Sequence, residues 1–314
     1  MSNHPNIVVV GSFIMDLVFR TYRRPKRGET VVGKEFGMFT GGKGYNQAIA
    51  AARLGANVTM IGCLGTDMFG DSFITSMRND GVDTKFVIRD KSIGTGVASP
   101  VVYESEGDNS IIIIPRANQS LRPEHIDAAS TVIKAADLLM LQLEIPIETS
   151  IYAAKIAHAA GVRVMLNPAP FTAIPAEFYG VIDIMTPNEI EAGQLTGMQI
   201  DDFETAKAAG RIILSLGPKM VVVTMGQRGA YYFGPSRESH IPAFHVNAID
   251  PTAAGDAFCA GFAFAISQGR DPIEAVYMGT AAGGLATTIL GAEPSLPTMS
   301  DVLKLLDQQK KLGL

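Results

Sequence analysis

The sequence predicts an open α/β fold: a mainly parallel sheet with helices on both faces and a small lid of β-strands. Three features of the 314 residues indicate this class. Short β-branched runs lack polar alternation, which is typical of strands buried on both faces of a parallel sheet. Segments of helical composition separate these runs. Two regions near the amino terminus interrupt the alternation with strand-forming residues and turn signals.

Six apolar runs are predicted as strands of the parallel sheet, at residues 7–10, 58–61, 138–141, 162–166, 182–185 and 220–224. Five segments have helical composition, at residues 46–54, 69–79, 149–160, 203–216 and 256–267. Because parallel strands end at the same edge of a sheet, the segments that follow them are the first place to look for a ligand site.

Residues 12–40 and 94–115 are predicted to form the lid. Both regions are rich in Thr, Val, Ile and Phe, with turn signals at Lys-Arg-Gly (26–28) and Glu-Gly-Asp-Asn (106–109). These patterns predict antiparallel strands and hairpins in place of crossover helices. No linker, repeat or low-complexity stretch divides the chain, so residues 1–314 are predicted to form a single domain that carries the lid.

Composition excludes several classes of protein. The 32 glycines and 17 prolines are too few for a low-complexity or collagen-like chain. The net charge of −5 argues against a broad nucleic-acid-binding face, although main-chain dipoles can bind a small phosphate without net charge. No run reaches the ~18 apolar residues of a membrane span. The cysteines, Cys63 and Cys259, and an amino terminus unlike a signal peptide predict a cytoplasmic protein with reduced thiols.

Two common kinds of site are disfavoured by residue spacing. The five histidines are scattered and no Cys-x-x-Cys occurs, so a metal site built from nitrogen or sulfur is not expected. Residues 37–44 read G-x-x-x-x-G-K-G, but the Ser or Thr that would hold Mg²⁺ in a P-loop is missing. These glycines indicate either a plain tight turn before a helix or a main-chain site for a polar ligand, with Lys43 and Asn46 on one helix face.

Residues 250–256, Asp-Pro-Thr-Ala-Ala-Gly-Asp, are the strongest candidate for chemistry. Small residues precede a long apolar helix, so free N–H groups at its start would form a nest for an anion. Asp256 is then either an ordinary N-cap or a base beside an anion hole. The second arrangement suits phosphoryl transfer, because the nest stabilises the phosphoryl charge while the carboxylate accepts a proton.

Two further segments follow predicted strands at the same sheet edge. Asn188 and Glu191 nearly match a capping box. The same two residues could instead organise Mg²⁺ and phosphates through water. Residues 224–229, Thr-Met-Gly-Gln-Arg-Gly, place two glycines in a turn where an open α/β protein binds its ligand.

Together these segments resemble the ribokinase, or PfkB-type, family of carbohydrate kinases over essentially the whole chain. Residues 39–47, Phe-Thr-Gly-Gly-Lys-Gly-Tyr-Asn-Gln, are similar to the first family signature, and residues 249–258 are similar to the second. Residues 9–16 are similar to the first strand of the family. Three segments between the two signatures are similar to intervening family motifs: 141–144, 166–170 and 186–191. Two long signatures in the right order are far more specific than any single motif.

The resemblance implies a reaction and a set of roles. Asp256 would deprotonate the primary hydroxyl of a sugar, which then attacks the γ-phosphate of MgATP. An anion hole would be formed by Ala253, Ala254 and Gly255. Sugar hydroxyls would be held by Asp16, Gly42, Lys43, Asn46 and Glu144. Glu191 would help to place Mg²⁺, and ATP would be contacted by Gly255, Asn188, Thr224, Gly226, Gln227, Arg228 and Gly229.

The resemblance also implies a monovalent cation, usually K⁺, beside the anion hole, and a homodimer in which lid strands pair between subunits. The cation would be bound by Asp250, Thr252, Ala286, Ile289, Gly291 and Ser295. Pro251 stands where the family commonly has Thr. Because proline fixes φ and removes one N–H near this loop, the departure bears on the potassium response and not on catalysis.

Two other departures bear on the substrate. Ile14 stands where ribokinases usually carry an Asn that can hydrogen-bond a ribose hydroxyl, and an apolar wall favours a ligand without that hydroxyl. Tyr45 replaces the usual Ala and is expected to narrow the pocket. The resemblance implies a pentose kinase, with D-ribose as the first expectation, 2-deoxyribose a close second, and a hexofuranose or nucleoside third. The remote alternative is a catalytically silent sugar-binding protein.

Overall fold

The six predicted strands all occur, within a larger set. The computed structural model describes residues 4–311, so the outermost ends of the predicted domain, 1–3 and 312–314, lie outside it. In chain order the strands are β1 Asn6–Val10, β2 Ile14–Thr21, β3 Glu35–Gly41, β4 Asn57–Gly65, β5 Asp83–Asp90, β6 Gly96–Tyr103, β7 Asp108–Ile114, β8 Leu138–Leu141, β9 Arg163–Leu166, β10 Ile184–Met185, β11 Met220–Thr224, β12 Ala230–Phe233 and β13 Glu238–Ile241.

The helices include all five segments with predicted helical composition. In chain order they are α1 Lys43–Arg53, α2 Met68–Asn79, α3 Pro123–Ala128, α4 Ser130–Lys134, α5 Ile147–Ala159, α6 Ala176–Tyr179, α7 Glu189–Thr196, α8 Phe203–Ser215, α9 Ala254–Ser267, α10 Pro272–Ala286, α11 Ala292–Ser295 and α12 Met299–Lys311. Among the helices of the described residues, none has both the length and the apolar composition that crossing a bilayer requires.

Nine strands form the central sheet, in the order β13-β12-β11-β10-β9-β8-β1-β4-β5. The pairs from β11 through β5 are parallel, and the edge pairs β11–β12 and β12–β13 are antiparallel. The last two strands form a hairpin, because only residues 234–237 connect them and the Gly234 N–H donates to the Arg237 carbonyl oxygen. The prediction of an open, mainly parallel sheet is confirmed.

Alternate residues of the central strands belong to two separate hydrophobic cores. In β1, Ile7 and Val9 pack into the core that includes α1 and α9. Val8 and Val10 point the other way, into the core that includes α5 and α8. A strand covered by helices on both faces has no solvent side, and therefore shows no polar alternation in its sequence.

The four remaining strands form the lid sheet, in the order β3-β2-β6-β7. As predicted, β2–β3 and β6–β7 pair antiparallel. The two pairs join through β2 and β6, which run parallel. The prediction of antiparallel pairing is therefore wrong for this central pair of the lid. Since β4, β5 and two helices lie between the two lid regions in sequence, local turn signals could not have shown how they pair.

Candidate active site

Asp256 lies in the first turn of α9, with a side chain only 5% exposed. It is not the N-cap, because that position belongs to Ala253, which has a φ of 62° in the left-handed region. Such a φ is uncommon for a residue other than glycine and lets the chain turn sharply into the helix. The ordinary N-cap interpretation of Asp256 is therefore wrong.

The start of α9 leaves main-chain donors free for an anion. The Ala257 N–H donates to the Ala253 carbonyl oxygen, and the Ala254 N–H donates to that of Pro251 at 3.2 Å. Within the described residues, the N–H groups of Gly255 and Asp256 have no hydrogen-bond acceptor. The Ala254 N–H is thus already engaged. Among the described residues, the N–H of Ala253, like that of Gly255, donates to no acceptor, so these two predicted anion-hole residues can bind an incoming anion.

Two cavities meet at Asp256. The small cavity has a volume of about 190 Å³, and its lining includes Asn188, Glu191, Thr224 and Gly255. The large cavity has a volume of about 660 Å³, lies under the lid, and is lined in part by Ile14, Asp16, Gly42, Asn46 and Glu144. Only Lys43, Ala253 and Asp256 line both cavities among the described residues. A ligand in each cavity would therefore place its reacting group beside the same carboxylate.

Lys43 is a partly buried cation among carboxylates. Burial alone would lower the pKa of Lys43, but the negative charges of Asp256, Glu144 and Glu191 outweigh it and the pKa is raised. Burial raises the pKa of Glu144 and of Glu191, although Lys43 acts in the opposite direction on both. The site therefore combines an excess of buried acid groups with one lysine that stays charged.

Helix α1 begins at Lys43, three residues before the predicted start, because Glu144 accepts a hydrogen bond from its first N–H group. Glu144 Oε2 accepts hydrogen bonds from the Lys43 N–H, at 2.8 Å, and from the Ser12 hydroxyl. Gly42 and Gly44 allow this close approach. Gly42 has a φ of 92°, and a Cβ on Gly44 would lie 2.4 Å from the Ser12 nitrogen. The glycine-rich turn is thus required by packing, whatever it binds.

Two side chains of the large cavity are suited to polar ligands. Burial, followed by the charge of Glu144, raises the pKa of Asp16 to about 7. The Asn46 amide donates from Nδ2 to Asp256 Oδ2 at 2.9 Å, while its Oδ1 is buried without a partner. An unpaired buried acceptor is costly, and a hydroxyl group in the cavity would satisfy it.

Asn188 and Glu191 form the capping box that the sequence suggested. The Glu191 N–H donates to Asn188 Oδ1 at 2.8 Å, and the Asn188 N–H donates to Glu191 Oε2 at 2.9 Å. Both residues also line the small cavity, so the cap does not remove them from the site. A capped helix start holds their remaining oxygens in fixed positions, which suits an ion coordinated chiefly by water and phosphate.

The turn at 226–229 lies apart from both cavities. Thr224 lines the small cavity, but the four predicted contacts that follow it do not: Gly226, Gln227, Arg228 and Gly229. The Arg228 guanidinium instead donates to the Asp201 carbonyl oxygen and lies 3.9 Å from Glu189. Any contact of this turn with a ligand would have to lie outside the small cavity.

The predicted cation loop is folded around Asp250. Its Oδ1 accepts from the N–H and hydroxyl of Thr252, and its Oδ2 accepts from the Gly291 N–H at 2.9 Å. Burial alone would raise the pKa of Asp250, but these hydrogen bonds lower it. The carboxylate therefore stays charged at neutral pH and ties together the two segments of the loop.

The donor set of this loop fits a monovalent cation. Among the described residues, four of its carbonyl oxygens accept no hydrogen bond, those of Thr252, Ala286, Ile289 and Gly291. Ser295 is buried, and its hydroxyl donates to the Ala292 carbonyl oxygen at 2.7 Å. Neutral carbonyl oxygens with free lone pairs are the ligands that replace the hydration shell of K⁺.

Tyr45 does not narrow the large cavity, and that expectation is wrong. Its ring is fully buried against Phe13 and Phe73. Its hydroxyl donates to Glu293 Oε2 at 2.7 Å and lies 2.6 Å from the Ser76 hydroxyl. Position 45 follows the helix period into the core, because Lys43 and Asn46 already occupy the cavity face of α1.

Sequence reasoning assigned no role to several polar residues that the structure brings to this sheet edge. Asn167 and Thr186 line the small cavity and directly follow β9 and β10. Gln142 directly follows β8, and Gln47 follows Asn46 in α1. Gln142, Asn167 and Thr186 could have been identified from the sequence, because each is a polar residue directly after an apolar strand.

Residues 4–299 match the family described as pfkB family carbohydrate kinase. The chain therefore belongs to that family. It is a sugar kinase, an enzyme that transfers phosphate to a hydroxyl group. The resemblance inferred from the two signatures is confirmed.

Curated and structural relatives span nearly the whole chain. The deoxyribokinase of Salmonella typhi is 37% identical over 295 residues, which cover 94% of this chain and 96% of that protein. The ribokinase of Staphylococcus aureus is 37% identical over 298 residues, 94% and 98% of the two chains. Arabidopsis thaliana ribokinase, solved with ribose and ATP, superposes with a TM-score of 0.91 at 35% identity, covering 96% and 99%.

Proposed function

We propose that this kinase transfers the γ-phosphate of ATP to the terminal hydroxymethyl group of a pentose, with D-ribose as the first candidate. The observation that carries the proposal is the meeting of two cavities at Asp256, Lys43 and Ala253. The larger cavity has the carboxylates and free amide oxygen suited to sugar hydroxyls. The smaller one has the free N–H groups and lysine suited to phosphate. Ribokinases among the relatives support this assignment.

Asp256 acts as the general base. It takes the proton of the primary hydroxyl, whose oxygen forms a bond to the γ-phosphorus as the bond to the bridging oxygen of ADP breaks. Lys43 and the N–H of Gly255 stabilise the charge on the transferred group. Asp16, Glu144 and Asn46 Oδ1 accept hydrogen bonds from the other sugar hydroxyls and orient the ring, with Gly42 beside them in the cavity wall.

ATP enters from the small cavity. Asn188 and Thr224 contact its phosphates, and the turn from Gly226 to Gly229 contacts the rest of the nucleotide outside that cavity. Glu191 and Asn188 would hold Mg²⁺ through water, and the ion would neutralise phosphate charge. The Asp250 loop, with the carbonyl groups of Thr252, Ala286, Ile289 and Gly291 and with Ser295, would hold K⁺, which would supply positive charge behind the anion hole.

The lid supports a homodimer. Its outer face exposes Phe19, Met38, Ile112 and Ile114, each more than two-fifths accessible. An apolar sheet face of this kind is expected to be covered by another surface, and a second lid presents the same apolar chemistry.

Free, buried Cys63 and Cys259 support a location in the reducing cytoplasm.

A 2-deoxyribose kinase is the second candidate, and one side chain favours it. Ile14 is 4% exposed and lines the large cavity, where it offers no hydrogen bond to a sugar hydroxyl. A deoxyribokinase is also among the relatives. Because an apolar wall discriminates only weakly against a hydroxyl, both pentoses remain substrates in this account.

The test is a comparison of kcat/KM for D-ribose, 2-deoxyribose, fructose and nucleosides at saturating ATP. A pentose is expected to give the highest value, and a nucleoside or hexose preference would overturn the substrate class. Absence of turnover with all of them would favour a silent binding protein. Ile14→Asn is expected to raise the ribose to 2-deoxyribose ratio by about 10-fold. Ile14→Val is the matched control, since it keeps the wall apolar.

A further inference from the structure

The carboxylate of Asp256 is held by two consecutive amide side chains of α1. Asn46 Nδ2 donates to Oδ2 at 2.9 Å, and Gln47 Nε2 donates to Oδ1 at 3.0 Å. Each oxygen of the base thus has one amide donor. The two donors differ in their surroundings, and this difference distinguishes the two oxygens of the base.

Asn46 can give up its hydrogen bond when the sugar binds. It lines the large cavity, so a sugar hydroxyl can take over its N–H. Once that donor has moved, Oδ2 is free to accept the proton of the primary hydroxyl. The unpaired Oδ1 of Asn46 gains a partner in the same rearrangement.

Gln47 has no such freedom. It is fully buried and lines neither cavity. Its Oε1 accepts from Gln142 Nε2 at 2.6 Å, and its Nε2 also lies 3.3 Å from Asn167 Oδ1. Asn167 in turn donates to the Thr186 carbonyl oxygen. Because every polar atom of its amide is engaged, Gln47 can present only N–H to Asp256.

Gln142 completes this chain at a cost to stability. Its Oε1 is buried without a hydrogen-bond partner, and a Cβ on Gly11 would come within 2.3 Å of that atom. An apolar side chain of the same length would remove this unpaired acceptor, but it would leave Gln47 Oε1 without its donor, so the amide brings little net stability. The Gln142 amide is therefore better explained by its orienting of Gln47 than by a contribution to stability.

We propose that Gln47, oriented by Gln142, is a positioning residue that fixes the Asp256 carboxylate and assigns Oδ2 as its proton-accepting oxygen. The inference rests on the proposed role of Asp256 as general base. Gln47 lines neither cavity, so it would contact neither the sugar nor ATP. Its replacement should therefore slow the chemical step without weakening the binding of either substrate.

The experiment measures kcat, KM for both substrates and Tm in Gln47→Met and Gln142→Met. A misplaced base reduces the rate strongly, so we expect kcat to fall about 100-fold in Gln47→Met, with both KM values unchanged. Gln142→Met acts one contact further away and is expected to cost about 10-fold. It also replaces one unpaired buried acceptor with another, so its Tm should stay near that of the wild type.

Thr149→Val is the matched control. Thr149 is buried but lines neither cavity, and its hydroxyl donates to the Leu121 carbonyl oxygen at 3.0 Å. This variant should lower Tm and leave kcat unchanged. An unchanged kcat in both glutamine variants overturns the inference. So does a fall in kcat that comes with a raised KM and a Tm loss like that of Thr149→Val. Gln142→Met alone decides the matter if Gln47→Met does not fold.

Asp256→Asn, assayed in parallel, separates this inference from the proposed function. Full activity in Asp256→Asn would contradict the assignment of the base itself. Loss of activity there, combined with wild-type kcat in Gln47→Met and Gln142→Met, would contradict only the positioning role.

Discussion

Two apolar strands of this molecule have opposite environments. In β1, Val9 and Val10 are fully buried between helices, whereas in β7 the run Ile111–Ile114 is about half exposed or more, with Ile112 at 68%. Both runs satisfy the same sequence criterion for a buried strand. The difference lies in topology, because β1 is central in a sheet covered on both faces, and β7 is an edge strand of the lid.

This comparison separates two uses of apolar sequence. In the central sheet, apolar residues form the core on which helix α9, with Asp256 in its first turn, packs. The side chains of Gln142 and Asn167 follow directly at the ends of β8 and β9. In the lid, Ile111 and Ile113 line the large cavity, so strand alternation turns Ile112 and Ile114 to the outer face. The lid thus places its apolar residues on the wall of the large cavity and on an exposed outer face.

The largest expected effect is on stability, through Phe262→Ala in α9. Phe262 is fully buried in the central core, and removing such a ring costs about 3–5 kcal/mol. The matched variant is Phe36→Ala on the lid, where the ring is 57% exposed and the expected loss is within about 0.5 kcal/mol. Urea unfolding at low protein concentration measures both, so that subunit contacts do not contribute. Equal losses of unfolding free energy in the two variants would contradict the difference between the central core and the lid.

Tyr45→Phe tests the junction between the two regions. Glu293 accepts hydrogen bonds from Tyr45 and Ser76 and from Thr40 of lid strand β3. Loss of the Tyr45 hydroxyl removes one donor to a carboxylate, and we expect a cost of about 1–3 kcal/mol. Tyr277→Phe is the control, because its ring is partly exposed and only packs edge-on against Phe244. Equal unfolding free energies in the two variants would mean that the junction carries no stability.

Ile112→Glu tests whether the outer lid face is covered by a second subunit. Charge at the centre of an apolar interface is expected to weaken the dimer by about 10-fold or more. Light scattering coupled to size-exclusion chromatography, over a range of concentrations, measures the change. Leu303→Glu on α12 is a control at an exposed apolar residue of another surface. If both variants, or neither, change the oligomeric state, the lid has no special role in assembly.

A further expected effect is a pH dependence of stability at Asp16. Its pKa is raised from 3.8 to about 7 in the folded protein, so the native state holds this proton more tightly than the unfolded chain. The contribution of Asp16 to stability should therefore fall as pH rises from about 4 to about 7, and then level off. Asp16→Asn lacks this titration, so its stability relative to wild type should increase over that range. A constant difference across this range would contradict the raised pKa.

The central sheet was predictable because its strands are buried on both faces, which leaves a local signature. Strand β5 was missed, and its sequence, Asp-Thr-Lys-Phe-Val-Ile-Arg-Asp, shows why. It is an edge strand with charged ends. Strands β12 and β13 were missed as well, since they are short and pair only with each other and with β11.

The candidate site was predictable from the sequence where its chemistry requires one residue type at a fixed position of a motif. Asp256, Lys43 and Asn188 line the cavities as expected. Side-chain direction was not predictable, since Tyr45 in the same motif points into the core. The amide chain through Gln47 and Gln142 was also out of reach, because its members come from different elements that meet only after folding.

The most direct test of the account is the activity of Asp256→Asn. This variant keeps the shape of the side chain at the meeting point of the two cavities but cannot accept the hydroxyl proton. We predict a fall in kcat of about 10²- to 10⁴-fold, with KM for the sugar and the circular dichroism spectrum unchanged. Turnover at the wild-type rate would contradict the claim that Asp256 is the base between sugar and phosphate.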